Sequence, residues 1–227
     1  MSFLYEERTS PSRFVDVVWH TVDTTDGTYV ASADARWDMI FTVMGHGNRV
    51  LLSGPSSRPT VVHYTAGNRH LGIRFAAGAY FTHVPVDGMR DRTIELPMPT
   101  PATFVLDGSR WPFPGTDDDR ADALLASLAE RGLLAYDDVV DSALAGRPVP
   151  LSTRTVERHF THVTGMSPRR VRQIDRAREA VGRLQHGTGI ADVAHTLGYA
   201  DQSHLTRDLK RLTGYTPAQS QDRDEPV

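Results

Sequence analysis

Residues 189–217 read GIADVAHTLGYADQSHLTRDLKRLTGYTP, and this stretch decides the fold of the second half of the chain. Apolar side chains recur at helical spacing on both sides of Gly198. Asp201 can cap a second helix, and Gly214 can end it because glycine tolerates a left-handed backbone. The stretch therefore predicts two helices joined by a short glycine turn, which is the helix-turn-helix plan.

The same pattern occurs earlier in the chain. Ser152 corresponds to Asp201 as a helix cap, and the sequence TGMSP of residues 164–168 corresponds to TGYTP of residues 213–217. Each copy carries apolar residues three and four positions apart, which are Val156, Phe160 and Val163 in the first copy and Leu205, Leu209 and Leu212 in the second. The repeat predicts two helix-turn-helix units.

A third helix is predicted between the units, over residues 168–184. Its apolar stripe runs through Val171, Ile174, Ala177 and Val181, and its length is about 25 Å at 1.5 Å per residue. A strut of this size can hold two recognition helices over successive major grooves, which lie about 34 Å apart on one face of DNA. One chain would then bind DNA as a dimer of single units does.

The charge of the chain is unevenly distributed. Residues 147–220 hold twelve Lys or Arg against six Asp or Glu, whereas residues 1–146 hold twelve against nineteen, within a net charge of −3. A basic segment on an acidic one predicts a polyanionic partner for the second half, although a solvated face would give the same counts. The absence of cysteine excludes disulfides and thiolate chemistry. With no secretory signal or long apolar run, a cytoplasmic protein is expected.

The first part of the chain predicts short strands separated by turn residues. The chain as a whole is therefore predicted to be an α+β multidomain protein. The boundary is expected in the Pro- and Gly-rich segment 107–116, which gives domains at 1–115 and 116–220. The strands are predicted at Phe14–Trp19, Trp37–Met44, Val50–Leu52, Thr60–Tyr64 and Leu71–Phe75, and further helices at Asp117–Arg131 and Tyr136–Ala145. An antiparallel β-sandwich or barrel is therefore expected before the helices.

The second half resembles the AraC/XylS-type family of transcription regulators. The run GYADQSH of residues 198–204, followed by TGYTP, carries the resemblance most specifically, and it extends over about residues 117–220. The first unit also matches, but its turn at residues 146–151 is longer and richer in proline than the family has, so its docking on DNA is expected to differ. In the first half, residues 54–59 and 71–75 resemble pieces of the family's cupin-like sensor domain.

The resemblance implies which residues would contact DNA. Base contacts would come from the exposed half of each recognition helix, that is from Arg154, Glu157, Arg158, Gln202, Ser203, Thr206 and Arg207. Phosphate contacts would come from Thr153, Arg169, Arg170, Lys210 and Arg211. His204 is expected to pack or cap. Double-stranded DNA is the implied partner, and a small effector, a homodimer and RNA polymerase are partners that the resemblance leaves open.

Two other interpretations remain at this point. A cupin-type enzyme with a helical appendage would need a metal site, but the first-half histidines, His20, His46, His63, His70 and His83, form no His-x-His pair. No phosphate-binding glycine loop or Gly-x-Ser-x-Gly motif occurs either, so neither a catalytic residue nor a cofactor is expected. The third interpretation is a DNA-binding protein whose first domain only dimerises.

Overall fold

The computed structural model describes residues 3–221, and strands dominate its first part. The strands are β1 (Phe3–Arg8), β2 (Val15–Asp23), β3 (Gly27–Ala31), β4 (Asp38–Met44), β5 (Gly47–Ser53), β6 (Thr60–Tyr64), β7 (Arg69–Phe75), β8 (Ala79–Phe81), β9 (Thr93–Glu95), β10 (Thr103–Leu106), β11 (Ser109–Pro112) and β12 (Leu134–Tyr136). The helices are α1 (Val86–Met89), α2 (Asp118–Glu130), α3 (Asp138–Leu144), α4 (Thr153–Thr164), α5 (Pro168–Gln185), α6 (Ile190–Thr196), α7 (Gln202–Thr213) and α8 (Pro217–Gln221).

The main sheet is antiparallel, with the strand order β1-β2-β7-β4-β5-β9. Three two-stranded sheets accompany it, formed by β3 with β6, β8 with β12, and β10 with β11. Because side chains alternate along a strand, one face of the main sheet is apolar, and Met39, Phe41, Leu52 and Ile73 are fully buried there. The predicted β-rich, antiparallel first region is confirmed.

Helix α2 packs on this β-rich region. Its Leu124, Leu125 and Leu128 belong to the same hydrophobic core as the sheet, and β12 pairs with β8. The sequence instead assigned residues 116–136 to the helical domain. The boundary at residue 115 stays a prediction about folding units, and the packing favours a later one, near residue 137.

Helices α4 to α7 share a second core. Phe160 of α4, Ile174 of α5, Val193 of α6 and Leu209 of α7 are fully buried in it, as the helical periodicity predicts. The sequence predicts these helices at residues 152–164, 168–184, 190–197 and 201–213, and each observed helix starts and ends within two residues of these bounds. The predicted helical second region, with a linker helix between two units, is therefore confirmed.

The two regions are in direct contact. Ala33 donates its backbone N–H to the Leu212 carbonyl oxygen at 2.7 Å, and Trp37 Nε1 donates to the Val163 carbonyl oxygen at 3.2 Å. These bonds attach the segment before β4 to the carboxyl ends of α4 and α7, so the helices have a fixed position against the sheet. Among residues 3–221, no helix combines the length and the apolar character needed to cross a bilayer.

Candidate nucleic-acid interface

Helix α7 presents a continuous polar face. Its start is fixed by Asp201, whose Oδ1 accepts the backbone N–H of His204 at 2.6 Å, and its end by Gly214, at a φ of +82°. The apolar residues Leu205, Leu209 and Leu212 point into the core. The four predicted base-contacting residues of this unit therefore share the outer face: Gln202, Ser203 and Arg207 are exposed, and Thr206 is half-buried.

A tight turn positions α7 after α6. Gly198 adopts a φ of +69°, and the backbone N–H of Tyr199 bonds to the Ala194 carbonyl oxygen at 2.9 Å. His204 packs its ring edge-on against Tyr199, with ring centroids 5.2 Å apart, and its Nδ1 accepts the backbone N–H of Ala200 at 3.3 Å. The structure thus gives His204 the packing and capping position expected from the sequence.

Helix α4 repeats this construction but faces a different environment. Ser152 Oγ accepts the backbone N–H of Thr155 at 3.2 Å, and Gly165 ends the helix at a φ of +65°. The predicted base-contacting residues Arg154, Glu157 and Arg158 are exposed. They line an open cleft of about 1070 Å³ whose opposite wall is formed by residues of the segment 80–87. The outer face of α4 therefore lies opposite the β-rich region.

A carboxylate of the preceding segment holds α4 in place. Asp137 caps α3, because its Oδ1 accepts the backbone N–H groups of Val139 and Val140 at 3.0 and 3.2 Å. Its Oδ2 lies 2.6 Å from Nδ1 of His159 on α4. The connection between α3 and α4 has eight residues, and it is longer than the turn between α6 and α7, as the sequence indicates. Asp137 joins α3 and α4 directly across this connection.

The predicted phosphate-contacting residues are placed unequally. Thr153, Arg169, Lys210 and Arg211 are exposed, although Lys210 Nζ donates to the Gly214 carbonyl oxygen at 2.9 Å and Arg211 Nη2 pairs with Asp208 at 2.8 Å. Arg170 is half-buried and donates to the Ser57 carbonyl oxygen. Burial lowers the pKa of Arg170, and the neighbouring charge of Arg211 lowers it further. Its placement gives the predicted phosphate role of Arg170 no support.

Two clusters were missed by the sequence analysis. One is an arginine-lined groove on α5, where Arg172, Gln173 and Arg176 lie beside Arg169. Their spacing of three and four residues is visible in the sequence, and it could have shown that they share a helix face. The other is a buried ion cluster around Asp34. It joins residues far apart in the chain, so no local pattern could have indicated it.

Metal chemistry has no visible site in the described part of the chain. Within residues 3–221, no three His, Asp or Glu side chains converge into a set that could hold a metal ion. Two histidines of the first region instead pair with one carboxylate each. His70 Nε2 lies 3.0 Å from Asp23 Oδ2, and His20 Nε2 lies 3.0 Å from Asp118 Oδ1.

Comparison with known proteins identifies the helical segment. Residues 147–223 match a family model described as a helix-turn-helix domain. This segment is a helix-turn-helix domain. The predicted resemblance to AraC/XylS-type proteins is confirmed for it.

One curated protein is similar in sequence to part of this chain. The HTH-type transcriptional regulator RipA of Corynebacterium glutamicum is 40% identical over 68 residues, which are 30% of this chain and 20% of that protein. This chain thus covers about a fifth of the length of the curated relative that it matches. Two solved structures of ToxT from Vibrio cholerae cover 96% of this chain, at 11% and 10% identity and TM-scores of 0.38 and 0.35. The helix-turn-helix domain is the part of the chain that these comparisons identify by sequence.

Proposed function

We propose that this chain is a sequence-specific DNA-binding transcription regulator of the AraC/XylS type. The observation that carries the proposal is the duplication of an amphipathic helix in α4 and α7, each with a side-chain cap at its start, a left-handed glycine at its end and an exposed polar outer face. Each outer face carries an exposed arginine at the equivalent position, Arg158 and Arg207. A guanidinium can donate two parallel hydrogen bonds to the O6 and N7 atoms of guanine, which is the commonest specific contact in the major groove.

The proposal assigns the remaining side chains of these faces by their chemistry. Gln202 can pair with the edge of an adenine, and Glu157 can accept from a cytosine amino group or orient Arg158. Thr153, Arg169, Lys210 and Arg211 have access to phosphate, which sets the register of the protein and not the sequence it reads. Arg154, Ser203 and Thr206 complete the two base-reading faces.

The cleft beside α4 restricts one half of this interface. A helix that enters a major groove about 12 Å wide has DNA on both flanks. The wall of residues 80–87 occupies one of those flanks in this structure. The proposed two-site complex therefore requires the β-rich region to move away from α4, whereas Gln202, Ser203 and Arg207 of α7 are already exposed. A small effector or a homodimer contact of the first region would supply such a movement.

The proposal places the protein in the cytoplasm, with double-stranded DNA and RNA polymerase as partners and with no catalytic step. Its test is selection of bound duplexes from a random pool with the full-length chain. The enriched duplexes are expected to share two short motifs whose centres lie about one helical turn apart. A single enriched motif would restrict sequence reading to one unit. Recovery of duplexes with no shared motif would refute the proposed function.

A further inference from the structure

The described part of the chain contains an arginine-lined groove that the sequence analysis did not assign. Four of its residues, Arg169, Arg172, Gln173 and Arg176, lie on one side of α5, and His204 of α7 closes it. Their spacing of three, four and seven residues places them on one helix face. The groove has a volume of about 570 Å³, and it is called the α5 groove below.

The positive charge of the α5 groove is only partly balanced. Arg176 Nη2 lies 3.4 Å from Asp208 Oδ2, but the same carboxylate also pairs with Arg211 at 2.8 Å. Arg172 Nη2 donates at 3.3 Å to a neutral acceptor, the Ala143 carbonyl oxygen. One carboxylate is thus shared by two guanidinium groups, and the groove keeps an excess of positive charge.

The geometry of the groove is held by neighbouring residues. The guanidinium carbon of Arg176 lies over the ring of Tyr199, 4.2 Å from the ring centroid, in a cation–π contact that restrains the side chain. Tyr199 itself is buried beneath the glycine turn that positions α7. The arginine side chain therefore has a fixed position relative to the start of the helix that is proposed to read bases.

We propose that the α5 groove binds the phosphodiester backbone of the DNA beside the major groove that α7 enters. This inference rests on the proposed function. His204 belongs to the first turn of α7, two positions after Gln202, so the groove adjoins the base-reading face. From Arg169 to Arg176 the helix axis advances about 10 Å, which is the axial length of about three consecutive phosphates on one strand. Guanidinium groups match phosphate oxygens with two parallel hydrogen bonds.

The test compares Arg172→Ala with the wild-type full-length chain on two duplexes, the selected site and a scrambled site, at 50 to 200 mM salt. Arg172→Ala is expected to weaken binding of both duplexes by the same factor. It is also expected to lower the slope of log K against log salt by about one, which reduces the loss of affinity across this range by about threefold. Arg172→Lys keeps the charge and is expected to keep the slope.

Arg183→Ala is the matched control, since Arg183 lies on the same helix outside the α5 groove and pairs with Glu179 at 2.6 Å. Its slope is expected to equal that of the wild type, and thermal melting of each variant checks that it folds. If Arg172→Ala and Arg183→Ala give the same slope while the selected site is still bound, the groove proposal is overturned and the proposed function stands. If Arg172→Ala weakens the selected site alone, Arg172 reads bases and the backbone assignment is wrong. If the wild type binds neither duplex, both proposals fail.

Discussion

At the scale of single residues, Arg207 is the strongest candidate for base reading. It is exposed on the outer face of α7, and it is not among the residues that line the cleft between α4 and residues 80–87. Arg207→Ala should cost about 1–3 kcal/mol at the selected site and relax the preference at one base pair. Titration of the selected duplex and of its single-base-pair variants at fixed salt measures both effects.

Arg211→Ala is the control for this substitution, because Arg211 is proposed to contact phosphate from the same helix. It should weaken all duplexes alike and leave the base preference unchanged. An affinity of Arg207→Ala equal to that of the wild type would remove Arg207 from the readout.

Residue roles were predictable where they depend on neighbours in the sequence. The caps Ser152 and Asp201 and the end residues Gly165 and Gly214 follow from local rules, and the structure has each of them. Arg170 shows the limit. The resemblance implied that it contacts phosphate as Arg169 does, but its hydrogen-bond partner Ser57 is 113 residues away in the chain, and such a contact leaves no mark in the local pattern.

At the scale of elements, Gly214 both ends α7 and forms its contact with the β-rich region. A Cβ at this position would lie 2.8 Å from Cγ1 of Val30, in addition to the strain of a φ of +82°. Gly198 has a similar φ of +69° but open space around the site of a Cβ. Gly198→Ala should therefore cost about 1–2 kcal/mol from the left-handed backbone alone, and Gly214→Ala about 1–3 kcal/mol more from overpacking.

The free energies of unfolding of the two variants, measured in urea, test this difference. Equal losses would mean that Val30 yields without cost and that the contact between α7 and β3 contributes nothing measurable. A larger loss for Gly198→Ala would contradict the packing of α7 against β3 altogether.

Elements were predictable in proportion to their length and periodicity. The helices α4 to α7 each carry two or more turns of apolar residues at helical spacing, and the sequence predicts their bounds within two residues. Strands β8, β9 and β12 have three residues each, which is too short for an alternating pattern to be recognised. Helix α2 was predicted, but the core on which it packs was not, because a helical pattern does not identify the partner of the helix.

At the scale of the whole molecule, a buried ion cluster fastens the linker helix to the β-rich region. Asp34 lies 2.9 Å from Arg178 of α5 and 3.0 Å from Arg74 of β7, while Arg36 pairs with Asp175 of α5 at 2.5 Å. Burial alone would raise the pKa of Asp34, but the charges of Arg178, Arg74 and Arg36 outweigh it and lower the pKa. Asp34 therefore stays ionised in the folded protein, and the cluster holds α5 against the β-rich region.

The cluster makes the stability of this arrangement depend on pH through Asp38. Burial raises the pKa of Asp38 to about 7, and the neighbouring charge of Asp34 adds to the shift against the opposing charges of Arg74, Arg178 and Arg36. An unfolded chain loses this proton near pH 4. Between about pH 4 and 7 the folded state thus binds more protons than the unfolded state, so the contribution of Asp38 to stability falls as pH rises, by at most about 1.4 kcal/mol per pH unit.

Asp38→Asn should lose this dependence. The difference in unfolding free energy between wild type and variant, measured in urea from pH 5 to 8, should decrease up to about pH 7 and then level off. Parallel curves across that range would show that Asp38 is ionised in the folded protein, and the burial argument for the cluster would then be wrong.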